Sequence, residues 1–137
     1  MILTVRPVPV EYCAQTWPLV EKFIESAYSI GYTEYTLDQA KLMVCTGMWS
    51  LLVAVDEGEN IHGAATVQFL NYPNNRVAYV TAIGGKLMIS KDTVEQLSEY
   101  ARRNGATRIH GGARPSVARL WRKFGYKEIS TTVGLEL

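Results

Sequence analysis

Two cysteines, two histidines and a run of basic residues are the side chains of this chain most able to do chemistry, and their spacing restricts what that chemistry can be. Cys13 and Cys45 stand far apart, with no Cys-x-x-Cys and no histidine beside either to complete a metal site. Both read as small buried hydrophobes of a reducing, cytoplasm-like compartment. His62 follows the start of an apolar run and His110 precedes Gly111-Gly112. Neither has a partner nearby in the sequence, so each reads as a structural polar residue, and the glycine pair as a sharp turn. Between residues 101 and 127 the basic residues Arg102, Arg103, Arg108, Arg114, Arg119, Arg122, Lys123 and Lys127 occur without a single acid, although the whole chain carries only one net positive charge, +1. Such a block suits a phosphorylated cofactor, a nucleic acid or an acidic protein surface, and equally the solvated back of two helices. Arg119, Arg122 and Lys123 interleave with Val117, Leu120, Trp121 and Phe124 at helical spacing, which favours the solvated face, with nucleic acid or an acidic protein partner as the other reading. Tyr28, Tyr32 and Tyr35 form a cluster that suits packing or a protein partner.

The elements that must position these residues follow from pattern. A length of 137 residues provides for one hydrophobic core, so residues 1–137 are expected to form one domain. With 47% hydrophobic and 20% charged residues the chain can bury enough apolar surface to offset the entropy of ordering it, which excludes a disordered segment. Apolar runs such as Leu51 to Val55 fall far short of the ~20 residues that cross a bilayer, and Met1 to Val5 runs straight into Arg6 and Pro7, so neither a membrane span nor a signal peptide is expected. Ile2 to Arg6 reads as a strand stopped by Pro7 and Pro9. Trp17, Val20, Phe23, Ile24 and Ala27 give one face of an amphipathic helix, with Pro18 near its first turn or at a kink. Thr36 reads as the N-cap of a short second helix ending before Gly47. Trp49 to Val55, Ile61 to Leu70 and Val77 to Ile83, separated by turn clusters, make a three-strand meander. Asp92-Thr-Val-Glu95 has the form of a capping box for a third helix stopped at Asn104-Gly105. A short strand, Thr107 to His110, precedes a fourth helix of about ten residues from Pro115 to Gly125. Tyr126 to Leu137, rich in Thr, Val and Ile, reads as one bent strand or two short ones.

This order of elements resembles the GNAT fold of the acyl-CoA-dependent N-acetyltransferases over the whole chain. The most specific stretches are Tyr100-Ala-Arg-Arg-Asn-Gly-Ala-Thr-Arg-Ile109 and Ala118-Arg-Leu-Trp-Arg-Lys-Phe-Gly-Tyr126, the latter similar to the family's Ala-x-x-Leu-Tyr-x-x-x-Gly-Phe signature. More narrowly, Tyr32-Thr-Glu-Tyr-Thr-Leu-Asp38, Gly84-Gly85 and Gly112-Ala-Arg-Pro115 resemble small GNAT-like proteins encoded by tailed bacteriophages. The resemblance implies an α/β (α+β) class, with a mixed central sheet of six to seven strands and four helices on its two faces.

For the site, the resemblance implies three parts. The family grips the coenzyme A diphosphate with a basic, glycine-rich loop opening the third helix, where N–H groups and helix dipole favour an anion. The matching segment, Ile83-Gly-Gly-Lys-Leu-Met-Ile-Ser-Lys-Asp92, departs from that pattern: Gly84 and Gly85 let backbone approach a phosphate, Lys86, Ser90 and Lys91 supply point contacts, and Leu87, Met88 and Ile89 crowd the space. Arg114 stands where many relatives carry an Asn that contacts the cofactor. Trp121 occupies the position of the Tyr that returns a proton to the thiolate, and an indole N–H has no usable acidity. Arg76 to Ile83 holds no Asp, Glu or His to act as base, and Tyr79 and Thr81 can at most hold a water. The expectation is therefore a catalytically silent GNAT-fold protein of the host cytoplasm, acting as a virion-associated or assembly protein with phage structural proteins as partners. The alternative is an acetyl-CoA-dependent N-acetyltransferase acting on an amine of a protein or small molecule.

Overall fold

Five strands hydrogen-bond side by side in chain order: β1 (Thr4–Val8), β2 (Ser50–Val55), β3 (Ile61–Asn71), β4 (Arg76–Gly85) and β5 (Arg108–Gly111). The computed structural model describes residues 1–28, 34–85, 90–113 and 115–137. The first four strands are antiparallel neighbours, as short turns at Asp56–Asn60 and Tyr72–Asn75 allow, whereas β5 runs parallel to β4. That parallel pair needs a crossover, which α3 (Lys91–Arg103) provides.

Alternation along the strands sends side chains to two separate cores. Leu52, Ala54, Ala65, Val67, Ala78 and Val80 face α3 and α4 (Pro115–Arg122), packing on Val94, Leu97 and Trp121. Leu51, Val53, Val55, Ala64 and Ala82 face α1 (Val10–Tyr28) and α2 (Leu37–Cys45), packing on Trp17, Val20, Ile24, Ala40 and Val44. β2 is buried on both faces, which is why its sequence is continuously apolar. Cys13 is buried in the second core with its Sγ 3.5 Å from the Pro9 carbonyl oxygen, and burial pushes its thiol pKa up.

Capping and turn chemistry follow the sequence closely at several ends. Thr36 caps α2 in a full capping box with Gln39, Gly105 (φ +82) follows α3, and Pro115 opens α4. Four expectations need correction. Pro7 lies inside β1 rather than ending it, because β1 is an edge strand and a missing N–H on the outer side costs no ladder bond. Pro18 sits in the interior of α1, which begins at Val10, a full turn and more before Trp17. The cap of α3 is Ser90, whose hydroxyl accepts the Thr93 N–H at 3.2 Å while Thr93 Oγ1 accepts the Ser90 N–H at 2.9 Å; Asp92 is inside the first turn. The sheet has five strands, not six to seven, since Tyr126 to Leu137 forms no strand among the described residues. Among the described residues that segment pairs with no strand, and Ile129, Val133, Leu135 and Leu137 are exposed, so nothing there holds it in a ladder.

The outer edge of β1 is covered by one side chain. Gln96 of α3 accepts the Val5 N–H at 2.7 Å through Oε1 and donates to the Leu3 carbonyl at 2.9 Å through Nε2, standing in for a neighbouring strand.

Candidate functional site

The site takes shape at one residue of β4. Along the β3–β4 ladder Ala65 pairs with Ile83, Thr66 with Ala82, and then Val67 with Val80, so Thr81 is an extra residue opposite Thr66. This β-bulge flips the alternation: Ala78 and Val80 face α3 and α4 before it, and Ala82 faces α1 and α2 after it. Thr81 and Thr66 share a hydrogen bond, Oγ1 to Oγ1 at 2.7 Å, and the Thr81 hydroxyl also lies 3.1 Å from the Thr66 carbonyl oxygen, to which it donates. Thr66 is fully buried.

The same level is where β5 stops. Its pairing with β4 runs from Val77↔Arg108 to Val80↔Gly111 and goes no further. From Thr81 to Gly85, β4 keeps its bonds to β3 but has no strand on its other edge among the described residues. A gap between two parallel strands therefore opens at Thr81, lined by main-chain donors and acceptors that no strand uses. On the α1 and α2 side of the sheet its approach carries Tyr79 and His110. Tyr79 lies between Ala78 and Val80, which face the other way, and His110 follows Ile109, which packs in the α3 and α4 core; Tyr79 and His110 are register partners. The Tyr79 hydroxyl lies 3.4 Å from where a Cβ on Gly112 would be, so the ring reaches across to the loop after β5.

Gly84, Gly85 and Ser90, singled out for cofactor contact, have other occupations here. Gly84 faces α1: a Cβ there would collide with the Phe23 carbonyl oxygen and lie 2.9 Å from its carbon. Gly85, at φ +111, would collide with Gly63 of β3, so each glycine is needed where backbone meets backbone. Ser90 is taken up by the α3 cap. Asp92 accepts a hydrogen bond from Gln96 Nε2 at 3.0 Å, and its negative charge in the first turn of α3 already complements the helix dipole that an anion would use. Lys86 and Arg114 lie outside the described residues, as do Leu87 to Ile89 and Tyr32.

Trp121 is buried in the α3 and α4 core and packs against Tyr126 with ring centroids 4.6 Å apart and planes tilted by 54°. The Tyr126 hydroxyl is buried with no hydrogen-bond partner among the described residues, and burial pushes its pKa up to about 12. Arg119, Arg122 and Lys123 are exposed on α4 and the turn after it, and none of them is in an ion pair among the described residues. Tyr35 packs edge-on against Trp49 at 4.7 Å, a core contact. His62 is the extra residue of a second bulge, between Ala54 and Val55 of β2, and its Nε2 lies 2.8 Å from Asp56 Oδ2. That bond, with the N–H groups of Asn60 and Gly58, holds the Asp56 carboxyl down at about 2. No group of ligand side chains that could hold a metal occurs among the described residues, and no helix there is long and apolar enough to cross a membrane.

Two features of the gap have no signal in the sequence. The bulge is hidden because Val77 to Ile83 is apolar or small throughout, so no break in alternation marks Thr81. His110 reads as isolated because its neighbour Tyr79 comes through parallel pairing across α3.

Solved structures share this fold. An acetyltransferase from Clostridium acetobutylicum, determined with acetyl-CoA, aligns over 98% of this chain and 96% of its own, with TM-score 0.68 and 13% identity. An aminoglycoside acetyltransferase from an uncultured soil metagenomic sample, in complex with sisomicin, aligns over 98% and 96%, with TM-score 0.72 and 12% identity. A second aminoglycoside acetyltransferase from such a sample aligns over 100% and 99%, with TM-score 0.71 and 18% identity. No protein-family model and no curated protein matches the sequence. At these identities the likeness is one of fold: the chain has the GNAT fold of the acetyltransferases. The bacteriophage resemblance finds no counterpart in these three structures.

Proposed function

We propose that the chain is an acyl-CoA-dependent N-acyltransferase whose chemistry takes place in the gap between β4 and β5, with the proton of the attacking amine passing to His110. The observation that carries this reading is the coincidence at Thr81, where a bulge in β4 falls at the level at which β5 pairing ends. The fold shared with acetyltransferases supports it. An extended chain of amides suits an unpaired strand edge, because both sides offer alternating donors and acceptors, and the β4 edge from Thr81 to Gly85 would hold the amide arm of an acyl-CoA in that way. When bound, that group supplies an activated thioester.

The chain's own residues then have limited and separable tasks. The β4 edge fixes the position of the acyl group, and Thr66 and Thr81 fix the bulge by their hydroxyl pair. His110 is the group placed to accept the proton of the attacking amine, and the Tyr79 hydroxyl stands beside Gly112 as a donor at the same opening. Placement supplies most of the rate in such a site, since a bound geometry replaces a bimolecular encounter. The acceptor is an amine of a protein or small molecule, and the aminoglycoside acetyltransferases above make amino sugars one class to include in a panel.

A second reading has its own observation. Gly84, Gly85, Ser90 and Trp121 all serve packing or capping, and Asp92 opposes a diphosphate at α3, as a silent scaffold with an assembly role would require. One experiment separates the two: titration with acetyl-CoA by calorimetry, together with thiol release in the presence of peptide and amino-sugar amines. The transferase reading expects binding and thiol release, and loss of thiol release alone with His110→Ala. Absence of binding would falsify the transferase reading and leave the scaffold.

A further inference from the structure

Val10, at the start of α1, meets Gly47, in the turn that follows α2: a Cβ placed on Gly47 would lie 3.3 Å from Val10 Cγ2. The first turn of α1 therefore lies beside the end of α2. Each helix carries one cysteine a short step in from that contact. Cys13 is one turn of α1 beyond Val10, on the same side of the helix, and Cys45 is the last residue of α2, just before Gly47. Residues that stand far apart in the chain are thus brought to one place by the folding of α1 and α2, and both pack into the same hydrophobic core.

The two thiols differ in access and in charge state. Cys13 is 1% exposed, whereas Cys45 is half-buried at the edge of the core. Burial, and after it the neighbouring charges of Cys45 and Glu11, push the Cys13 thiol pKa up, so Cys13 keeps its proton when Cys45 has lost its own. Both positions are fixed by local bonds. The Cys13 Sγ lies 3.5 Å from the Pro9 carbonyl oxygen and 3.7 Å from that of Val8. Thr46, the residue after Cys45, closes α2 by donating its N–H and its hydroxyl to the Leu42 carbonyl at 3.0 and 2.9 Å.

We propose that Cys13 and Cys45 form a reversible redox site, at which a hydroperoxide oxidises the pair to a disulfide within one chain, joining α1 to α2. Cys45, the accessible sulfur, reacts first. As a thiolate it attacks hydrogen peroxide: a sulfur–oxygen bond forms, the O–O bond breaks, and the departing hydroxide takes up a proton to leave as water. The sulfenic acid on Cys45 is then attacked by the Cys13 sulfur. A sulfur–sulfur bond forms, the sulfur–oxygen bond breaks, and the oxygen leaves as water with the proton of Cys13. Both thiols are oxidised, together by one electron pair, and the peroxide is reduced to water. A resolving thiol behind the reactive one stops the oxidation at a stage that other thiols can reverse, as a pair in a reducing compartment requires. The step uses no acyl-CoA and no residue of the gap between β4 and β5, so its outcome is separate from that of the transferase reading.

The test treats the reduced full chain with hydrogen peroxide, blocks remaining thiols by alkylation, and reads intact mass and peptide map. A chain lighter by two hydrogens is expected, with the Cys13 and Cys45 peptides joined, no covalent dimer, and both thiols restored by glutathione. Before oxidation, iodoacetamide should label Cys45 about tenfold or more faster than Cys13. Cys13→Ser should leave a sulfenic acid on Cys45 that dimedone traps, and Cys45→Ser should leave Cys13 unoxidised. Four results would each overturn the proposal: two free thiols after treatment, a sulfinic acid on Cys45 with Cys13 still free, disulfides formed only between chains, or a disulfide formed only when urea has unfolded the chain. If either serine variant misfolds, the peptide map of the unsubstituted chain alone decides.

Discussion

Replacing Thr81 by Val should cost more stability than replacing Thr66 by Val, and replacing both should cost less than the sum. Thr81 donates to the Thr66 carbonyl oxygen at 3.1 Å, which leaves its Oγ1 free to accept the Thr66 hydroxyl at 2.7 Å. Thr81→Val therefore strands a hydroxyl on a residue with no solvent exposure, at about 2 kcal/mol. Thr66→Val removes the donor but leaves the half-buried Thr81 its carbonyl partner, at about 1 kcal/mol. With both hydroxyls gone and two methyl groups of the same shape in their place, no polar side-chain atom is left unpaired. The double variant should thus fall near the Thr66→Val value, a coupling of about 2 kcal/mol. Urea unfolding of the four proteins, with m-values held to be equal, measures this, and about 3 °C of melting temperature per kcal/mol gives an independent reading. Additivity within about 0.3 kcal/mol, or Thr66→Val as the more damaging change, would refute the assignment of donor and acceptor at the bulge.

Three further outcomes follow from other parts of the molecule. Gly84→Ala should destabilise by about 3 kcal/mol in urea unfolding, because the added methyl meets the Phe23 peptide of α1 rather than a side chain that can turn away; a loss under about 1 kcal/mol would contradict that close approach. Asp56, with its carboxyl held from 3.8 down to about 2 by His62, Asn60 and Gly58, should contribute stability that is present above pH 4 and lost as pH falls toward 2. Asp56→Asn should flatten that acid limb in melts between pH 2 and 5, and an unchanged limb would assign it to other carboxylates. Tyr126→Phe removes a buried hydroxyl that has no partner, so stability at pH 7 should hold or rise. It should also remove a loss of stability that begins as pH passes the ordinary tyrosine value of 10, where the unfolded chain ionises and the folded one, at about 12, does not; an unchanged alkaline melt would disprove the burial of that phenol.

The elements that a local pattern determines were readable from the residues themselves. The α2 cap at Thr36, the stop at Gly105 and the three meander strands each depend on side chains a few positions apart, and the structure has them there. Two of the misreadings share one cause. Pro7 inside β1 depends on which strand lies at the edge of the sheet, and the terminal strands depend on whether a partner edge is within reach. Both are facts of tertiary position that no short window contains. The α3 cap is a closer contest: Asp92-Thr-Val-Glu95 and Ser90-Lys-Asp-Thr93 both offer a capping pair, and the earlier one forms because Thr93 and Val94 are then buried under the sheet.

The candidate site was the least legible part, and the reason lies in what it is made of. A side-chain site leaves residue types at a spacing, whereas the gap at Thr81 is made by where a ladder slips and where a neighbouring strand ends. Main-chain N–H and C=O groups are the same in every residue, so a strand edge left open for a ligand writes nothing into the sequence except the small residues that permit the surrounding close packing. Gly84 and Gly85 are such residues. They were conspicuous as a glycine pair, and their role is to let α1 and β3 come against the far end of β4. A test of function on this chain therefore has to read binding directly, because removing a side chain from the β4 edge removes none of the groups that would bind.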